Sequence, residues 1–400
     1  MIGSYHWFSL LRSCIYKYRK LSREIKREKR RVEQQENGDK KNDYYGNLAR
    51  LKAKNMNGAG RQSQEATIEN TTAESRKERE PLILIDISAY IYRAYHAIPP
   101  LHHSDGTPTG ALHGVCRMLQ NLLLARLLKG ERPRVVLAFD FKGPNFRHDL
   151  YPEYKANRGP CPDDLVPQFQ LIREAAGVFG LVCIEAEGYE ADDVIATLTM
   201  QALSDGVDVD IFSGDKDLMQ LITPHGIEPS VHMIDPLHFD RLDHDDVVNK
   251  WGVSSDKLGD VLALAGDASD NIPGCPGIGP KIAAQLINEF GSLSDVIAKS
   301  ESIKQNKRRE SLIENAERLL LFRKLVTLDE SIPSNNMTLP PSFEGVSSLR
   351  MSLFNPHGLI EFYQRLELNA CLNQLQTRLR SSIIYKKPPI RDEEFGNIPF

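Results

Sequence analysis

The chain has no long apolar run. No stretch approaches the ~18 residues that a membrane-spanning helix needs, so the sequence reads without a membrane partner. It has no CxxC pair either. Its six cysteines, at 14, 116, 161, 183, 275 and 371, are scattered. That argues against a zinc site or a disulfide framework and for a reducing compartment. No internal repeat is present. The formal net charge is only −4, which by itself suggests no nucleic-acid partner. The hydrophobic fraction of 41% and charged fraction of 26% are those of a soluble globular protein. A chain of 400 residues allows one large domain or two ordinary ones.

What the chain does have is nine acids in a fixed order. Asp86 closes PLILID, Asp140 closes VVLAFD, and Glu190, Asp192 and Asp193 stand in GYEADD. Asp215 and Asp217 stand in SGDKD, and Asp267 and Asp270 in GDASDN. A lone aspartate after a strand is often only a turn or cap residue. Three acids within four residues exceed what a helix dipole rewards. Gathered carboxylates repel unless something positive offsets the repulsion, and hard divalent cations with oxygen ligands do so. In an open α/β sheet the C-terminal strand ends form the ligand crevice. The pattern therefore predicts a two-metal phosphoryl-transfer site, with Mg²⁺ as the natural ion and Mn²⁺ as a substitute. In extended chain Asp215 and Asp217 would share one side while Lys216 faces away. Asp267 and Asp270, three apart, would share one face of a helical turn.

Organisation along the chain follows the periodicity. Residues 1–80 are polar and basic, without strand-like runs. No acid occurs before Glu24, while Arg12, Lys17, Arg19, Lys20 and Arg23 are basic and WFSLLRSCIYKY is apolar at near-helical spacing. That is the character of an organellar transit peptide followed by a disordered linker, and the expected address is mitochondrion or plastid. A disordered basic arm on DNA is the other reading, with a nuclear or cytoplasmic location. Structure is expected from Pro81. LILIDIS, RVVLAFD, LVCIEA and VDVDIFSG read as strands, alternating with helical segments such as ALHGVCRMLQNLLLARLLKG. The alternation predicts an α/β domain at 81–247 with a central, mainly parallel sheet flanked by helices. A small helical domain follows at 248–332, then a C-terminal extension at 333–400 with one amphipathic helix in GLIEFYQRLELNACLNQL.

Two further segments suggest DNA. GCPGIGPKIAAQLI carries a helix–hairpin–helix signature. Gly274, Gly277 and Gly279 permit a tight turn and close phosphate approach, and Lys281 adds charge at the next helix start. FRHDLYPEYKANRG interleaves Tyr154 with Arg147, Lys155 and Arg158, which suits a single strand or a frayed end. Taken alone, it also fits a solvated surface. Arg93 and Lys142 lie just past the first two aspartates, where they could hold phosphate or balance the acids.

These motifs, in this order over about 82–332, resemble the 5′–3′ exonuclease domain of bacterial DNA polymerase I and the stand-alone flap endonucleases of its superfamily. The resemblance implies a 5′-nuclease fold of the PIN type followed by a helical domain with the hairpin motif. It implies a first metal group of Asp86, Asp140, Glu190, Asp192 and Asp193 and a second of Asp215, Asp217, Asp267 and Asp270. It further implies that Asp86, Asp140, Asp192 and Asp215 carry the catalytic metals, and that Lys155 and Arg158 lie on a helical arch and stabilise the scissile phosphate. It implies as well that the hairpin binds duplex DNA, with K⁺ as an expected ion on its carbonyls. The expected substrate is flapped, nicked or RNA-primed DNA with a 5′ end, in replication and repair. The expected state is a monomer. The sequence shows no polymerase domain, so a separate polymerase and ligase are implied. The rival readings are a catalytically silent structure-specific DNA-binding protein and a PIN-type ribonuclease.

Overall fold

The computed structural model describes residues 80–386. Six strands form one sheet: β1 (Leu82–Asp86), β2 (Arg134–Ala138), β3 (Val182–Ile184), β4 (Val209–Phe212), β5 (Val231–Ile234) and β6 (Arg241–Leu242). Their order is β3-β2-β1-β4-β5-β6. All neighbouring pairs are parallel except β5 with β6. β1 is central, and every residue of LILID is buried. A strand covered on both faces needs this unbroken apolar run rather than alternation. Each fully buried Leu or Ile there contributes ~1.5–3 kcal/mol.

The four strands expected from sequence are present, and two more follow. β5 and β6 were missed because VHMI is only four residues long and RL only two. Helices cover both faces: α1 (Ile87–Ala97), α2 (Gly110–Leu127), the short α3 (Phe146–Leu150), α4 (Val166–Phe179) and α5 (Ala191–Ser204). The helical part then comprises α6 (His244–Trp251), α7 (Leu258–Ala265), α8 (Pro280–Phe290), α9 (Leu293–Ala298), α10 (Asn306–Glu314) and α11 (Ala316–Val326). It has no separate core. One buried cluster runs from Leu84, Val136 and Ile195 of the sheet layer into Val261, Leu286 and Phe322. The sheet and the hairpin are thereby fixed relative to one another.

The C-terminal extension forms two helices where one was expected, α12 (Pro356–Arg365) and α13 (Asn369–Lys386). The break falls at Glu367, whose φ of 53° ends the first helix so that Leu366 and Leu368 can both be buried. Leu359, Phe362, Tyr363 and Cys371 of this extension join the core formed by α2 and α4. Thr338 and Met337 bind the edge of the sheet just past β3, through Glu185 and Ala186. The transit-peptide reading of residues 1–80 falls, apart from Glu80, outside the described residues.

Candidate active site at the C-terminal edge of the sheet

Asp86 ends β1 and caps α1: one oxygen accepts from the Ala89 N–H at 3.0 Å and the other from Ser213 Oγ at 2.8 Å. Asp140 follows β2 and accepts from the Ala191 N–H at 2.9 Å, at the first turn of α5. Glu190 is the N-cap of α5 and Asp192 stands in its first turn. Past β4, Asp215 accepts from the Asp217 N–H at 3.0 Å, and Asp217 opens a 3₁₀ turn. These two acids therefore come together through a turn, not through strand alternation. After α7, Asp267 caps the 3₁₀ turn Ala268–Asp270, which places Asp267 and Asp270 on one side as expected. Oxygens of Asp217, Asp267 and Asp270 all lie within 4.8 Å of one another.

The electrostatics join these pieces into one site. Burial pushes the Asp86 carboxyl up to about 7, aided by the charges of Asp140 and Asp215. Burial pushes Asp217 up to about 8, aided by Asp215, Asp267 and Asp270. Asp192 is raised well above the usual range by burial and then by Asp215, Asp86 and Asp217. Glu190 goes the other way: burial would raise it, but Lys155 and Arg147 outweigh burial and hold it low.

Three cations sit among these acids. Lys155 Nζ lies 2.5 Å from Glu190 and 3.8 Å from Asp270, and Arg158 lies 2.7 Å from Asp270. Lys216 Nζ lies 2.7 Å from Asp267. It does not face away: the turn at Asp217 swings it back over the acids. Arg93 borders a cavity of about 260 Å³ whose lining includes Asp86, Ser213, Gly214 and Asp215.

Three expected site residues have other work. Asp193 is fully buried, and both its oxygens bind Arg147 at 2.7 Å. It also accepts from the N–H groups of Glu190 and Asp329. Consecutive helical residues point ~100° apart, so Asp192 faces the crevice while Asp193 faces the interior. Its oxygens are already satisfied, which removes it from the metal ligands. Arg147 is equally buried and binds the carbonyls of Leu325 and Thr327, so it ties α3 to the end of α11 and cannot meet DNA. Tyr154 is buried too. Its hydroxyl donates to Glu190 at 3.0 Å and to Asp270 at 2.9 Å, so its ring cannot stack on a base.

Of the segment 146–159 expected to form an arch, Phe146–Leu150 is the helix α3, and Pro152 to Asn157 is a run of turns that ends in a bend at Arg158. It is clasped to 267–271: Lys155 N–H donates to Asp270 O, Asn157 to Ala268 O, and Asn271 to Glu153 O. The clasp was not legible, because its partners lie more than 100 residues apart in the chain. At the hairpin, Gly277 and Gly279 are exposed, with nothing within 4 Å of a Cβ, and Lys281 is exposed beside them. Gly274 differs. A Cβ there would fall 2.3 Å from Gly266 N, so this glycine serves internal packing rather than phosphate approach.

The donor set fits hard divalent cations. It is all carboxylate oxygen. Asp217 Oδ1 is buried without a hydrogen-bond partner, its nearest cation, Lys216 Nζ, being 3.9 Å away. Eight acids remain after Asp193 is set aside, against Lys155, Arg158 and Lys216 among them and the buried Arg147, 3.4 Å from Glu190. Among the described residues a second group, His225, Asp243 and Asp245, is close enough to share an ion. It lies largely exposed, and Asp243 is occupied as the N-cap of α6.

A mainly parallel sheet with a carboxylate crevice at its C-terminal edge and a helical hairpin packed beside it defines the class, a nuclease-type α/β fold. Residues 81–252 match the family model for the N-terminal resolvase-like domain of 5′–3′ exonucleases, and residues 253–341 match that for the C-terminal SAM fold. The chain belongs to the 5′–3′ exonuclease family. A 5′–3′ exonuclease of Aquifex aeolicus is 38% identical over 248 residues, which span 62% of this chain and 81% of that protein. DNA polymerase I of Rhizobium leguminosarum is 48% identical over 261 residues, 64% of this chain but only 25% of the polymerase. The chain thus matches about a quarter of that polymerase's length. The structure of T5 5′-exonuclease with bound zinc shares the fold, at TM-score 0.50 and 19% identity, covering 76% of this chain and 98% of that one.

Proposed function

We propose that this chain is a divalent-metal-dependent nuclease that hydrolyses phosphodiester bonds near 5′ ends of DNA, at flaps, nicks and RNA-primer junctions. The observation that carries this reading is the carboxylate crevice, where Asp217 Oδ1 is buried and unpartnered beside Asp267 and Asp270. Asp86, Asp140, Asp192, Asp215, Asp217, Asp267 and Asp270 would hold two Mg²⁺, and Mn²⁺ would serve in their place. When bound, such ions supply an activated water and charge stabilisation at the leaving oxygen. Glu190, expected in the first metal group, has its oxygens taken by Lys155, Tyr154 and Arg147, so its part is to position Lys155 and the buried Tyr154 beside the crevice. Lys155 and Arg158 are the cations that turn from the acids to the scissile phosphate when the clasp opens. Arg93 offers a further phosphate contact beside Asp86 and Asp215. Gly277, Gly279 and Lys281 present an open backbone and a positive charge to duplex phosphates, and K⁺ on the hairpin carbonyls would add to that charge.

Cleavage of a 5′-labelled flap, a nicked duplex and an RNA–DNA junction, each with Mg²⁺ and with EDTA, tests this reading. Metal-dependent release near the junction is expected. Tight binding of the flap with no product in Mg²⁺ or Mn²⁺ would favour the silent DNA-binding protein, and cleavage of RNA alone the ribonuclease. We also propose that residues 1–80 carry an organellar address and that a separate polymerase and ligase act on the product. The basic, acid-free opening supports the address. A fluorescent fusion of residues 1–80 that stays diffuse or nuclear would sink it.

A further inference from the structure

Lys216 stands between two crevice acids in the SGDKD turn. Its Nζ lies 2.7 Å from Asp267 Oδ2, 3.0 Å from Ser269 Oγ and 3.9 Å from Asp217 Oδ1. Asp217 and Asp267, with Asp270, are the acids whose oxygens lie within 4.8 Å of one another. Lys155 and Arg158 reach the acids from the clasped segment, more than 100 residues away in the chain from Asp270. Lys216 is the chain neighbour of Asp217, so its backbone stays beside the acids and only its side chain can swing away.

We infer that Lys216 is a built-in counter-ion for the Asp217–Asp267–Asp270 group, which holds these carboxylates together in the metal-free protein and must withdraw when a divalent cation takes them. An ammonium and a divalent ion cannot share the same oxygens, since like charges at such a separation repel. Withdrawing the lysine is therefore subtracted from the affinity of the incoming ion. The same contact keeps the empty site from flying apart. Lys216 is on this account a positioning residue that sets the metal concentration at which the site fills. The inference rests on the metal-dependent reading above.

Lys216→Met keeps an unbranched side chain, one atom shorter, and removes the charge. Calorimetric titration of the intact, metal-free chain with Mn²⁺ should show affinity at this site raised about tenfold, or ~1.4 kcal/mol. The metal-free variant should melt several degrees below wild type, and saturating Mn²⁺ should close or reverse that gap. Lys216→Arg should restore metal-free stability. Lys304→Met, at an exposed lysine, should change neither quantity. Should Lys216→Met not fold, Lys216→Gln, which keeps a donor for Ser269, is titrated in its place. Unchanged or weakened Mn²⁺ affinity with an unchanged melting gap overturns the role of Lys216. Absence of any saturable Mn²⁺ binding by wild type overturns the metal reading instead, so the two failures are distinct.

Discussion

The crevice and the hairpin are built on opposite plans. In the crevice, buried acids stand in excess over the cations and one oxygen is left without a partner. At the hairpin, Gly277 and Gly279 lie open, with no atom near where a Cβ would stand. The first region has too few positive charges for its acids, which a cation would supply. The second presents exposed glycine backbone and the exposed Lys281. Chemistry and grip are thus separable, and each should be breakable alone.

The largest effect is expected at the crevice. Asp217→Asn should lower flap cleavage by at least about a thousandfold, a transition-state loss of ~4 kcal/mol. DNA affinity in gel shift should hold or rise, because a negative charge near phosphate is removed. Comparable losses of affinity and rate would merge the two regions and break the comparison. Next comes Arg147→Ala, which leaves Asp193 buried and unpaired. Urea unfolding should show a loss of ~3–5 kcal/mol. A stable variant with weak DNA binding would return Arg147 to the nucleic-acid surface.

The hairpin should respond more modestly. Gly279 has an ordinary φ of −90° and open space around it, so Gly279→Val should leave the fold intact. Duplex affinity should fall several-fold, and the salt slope should flatten by about 0.9 for each phosphate that is no longer neutralised. Gly274→Val should instead lower the melting temperature, because its Cβ would strike the backbone of Ala265 and Gly266. Equal stability of the two variants would contradict that division.

The last effect concerns pH. Asp86 and Asp217 have carboxyls raised to about 7 and about 8 in the folded chain, while unfolded aspartate titrates near ~3.9. Between those limits the folded state binds more protons, so metal-free stability should fall as pH rises from about 4 to about 8. Mg²⁺ should stabilise the protein more at pH 8 than at pH 5. A Mg²⁺-induced shift in melting temperature that is flat across that range would show that these acids do not take the ion.

Much of this was legible because strand ends and acids are local features. LILID and RVVLA announce buried parallel strands, and the acids after them fall at the crevice through sheet topology alone. Side-chain direction was not legible. Asp192 and Asp193 are neighbours in the chain, yet only the fold decides that one faces the crevice and the other Arg147, 46 residues away. Tyr154 reads as a stacking aromatic, but its hydroxyl is needed between Glu190 and Asp270, which drew the ring inside. Lys216 shows the same limit, since extended geometry failed where the chain turned. The two-helix tail was hidden because one apolar period runs through the break at Glu367.

The central claim is that the crevice exists to hold divalent cations. Titration of Mn²⁺ into the metal-free chain, with bound ions counted by electron paramagnetic resonance, tests it most directly. The account predicts two bound ions per chain, one of them lost in Asp217→Asn, with no change in Lys304→Met. No saturable binding, or the same count in wild type and Asp217→Asn, would contradict it.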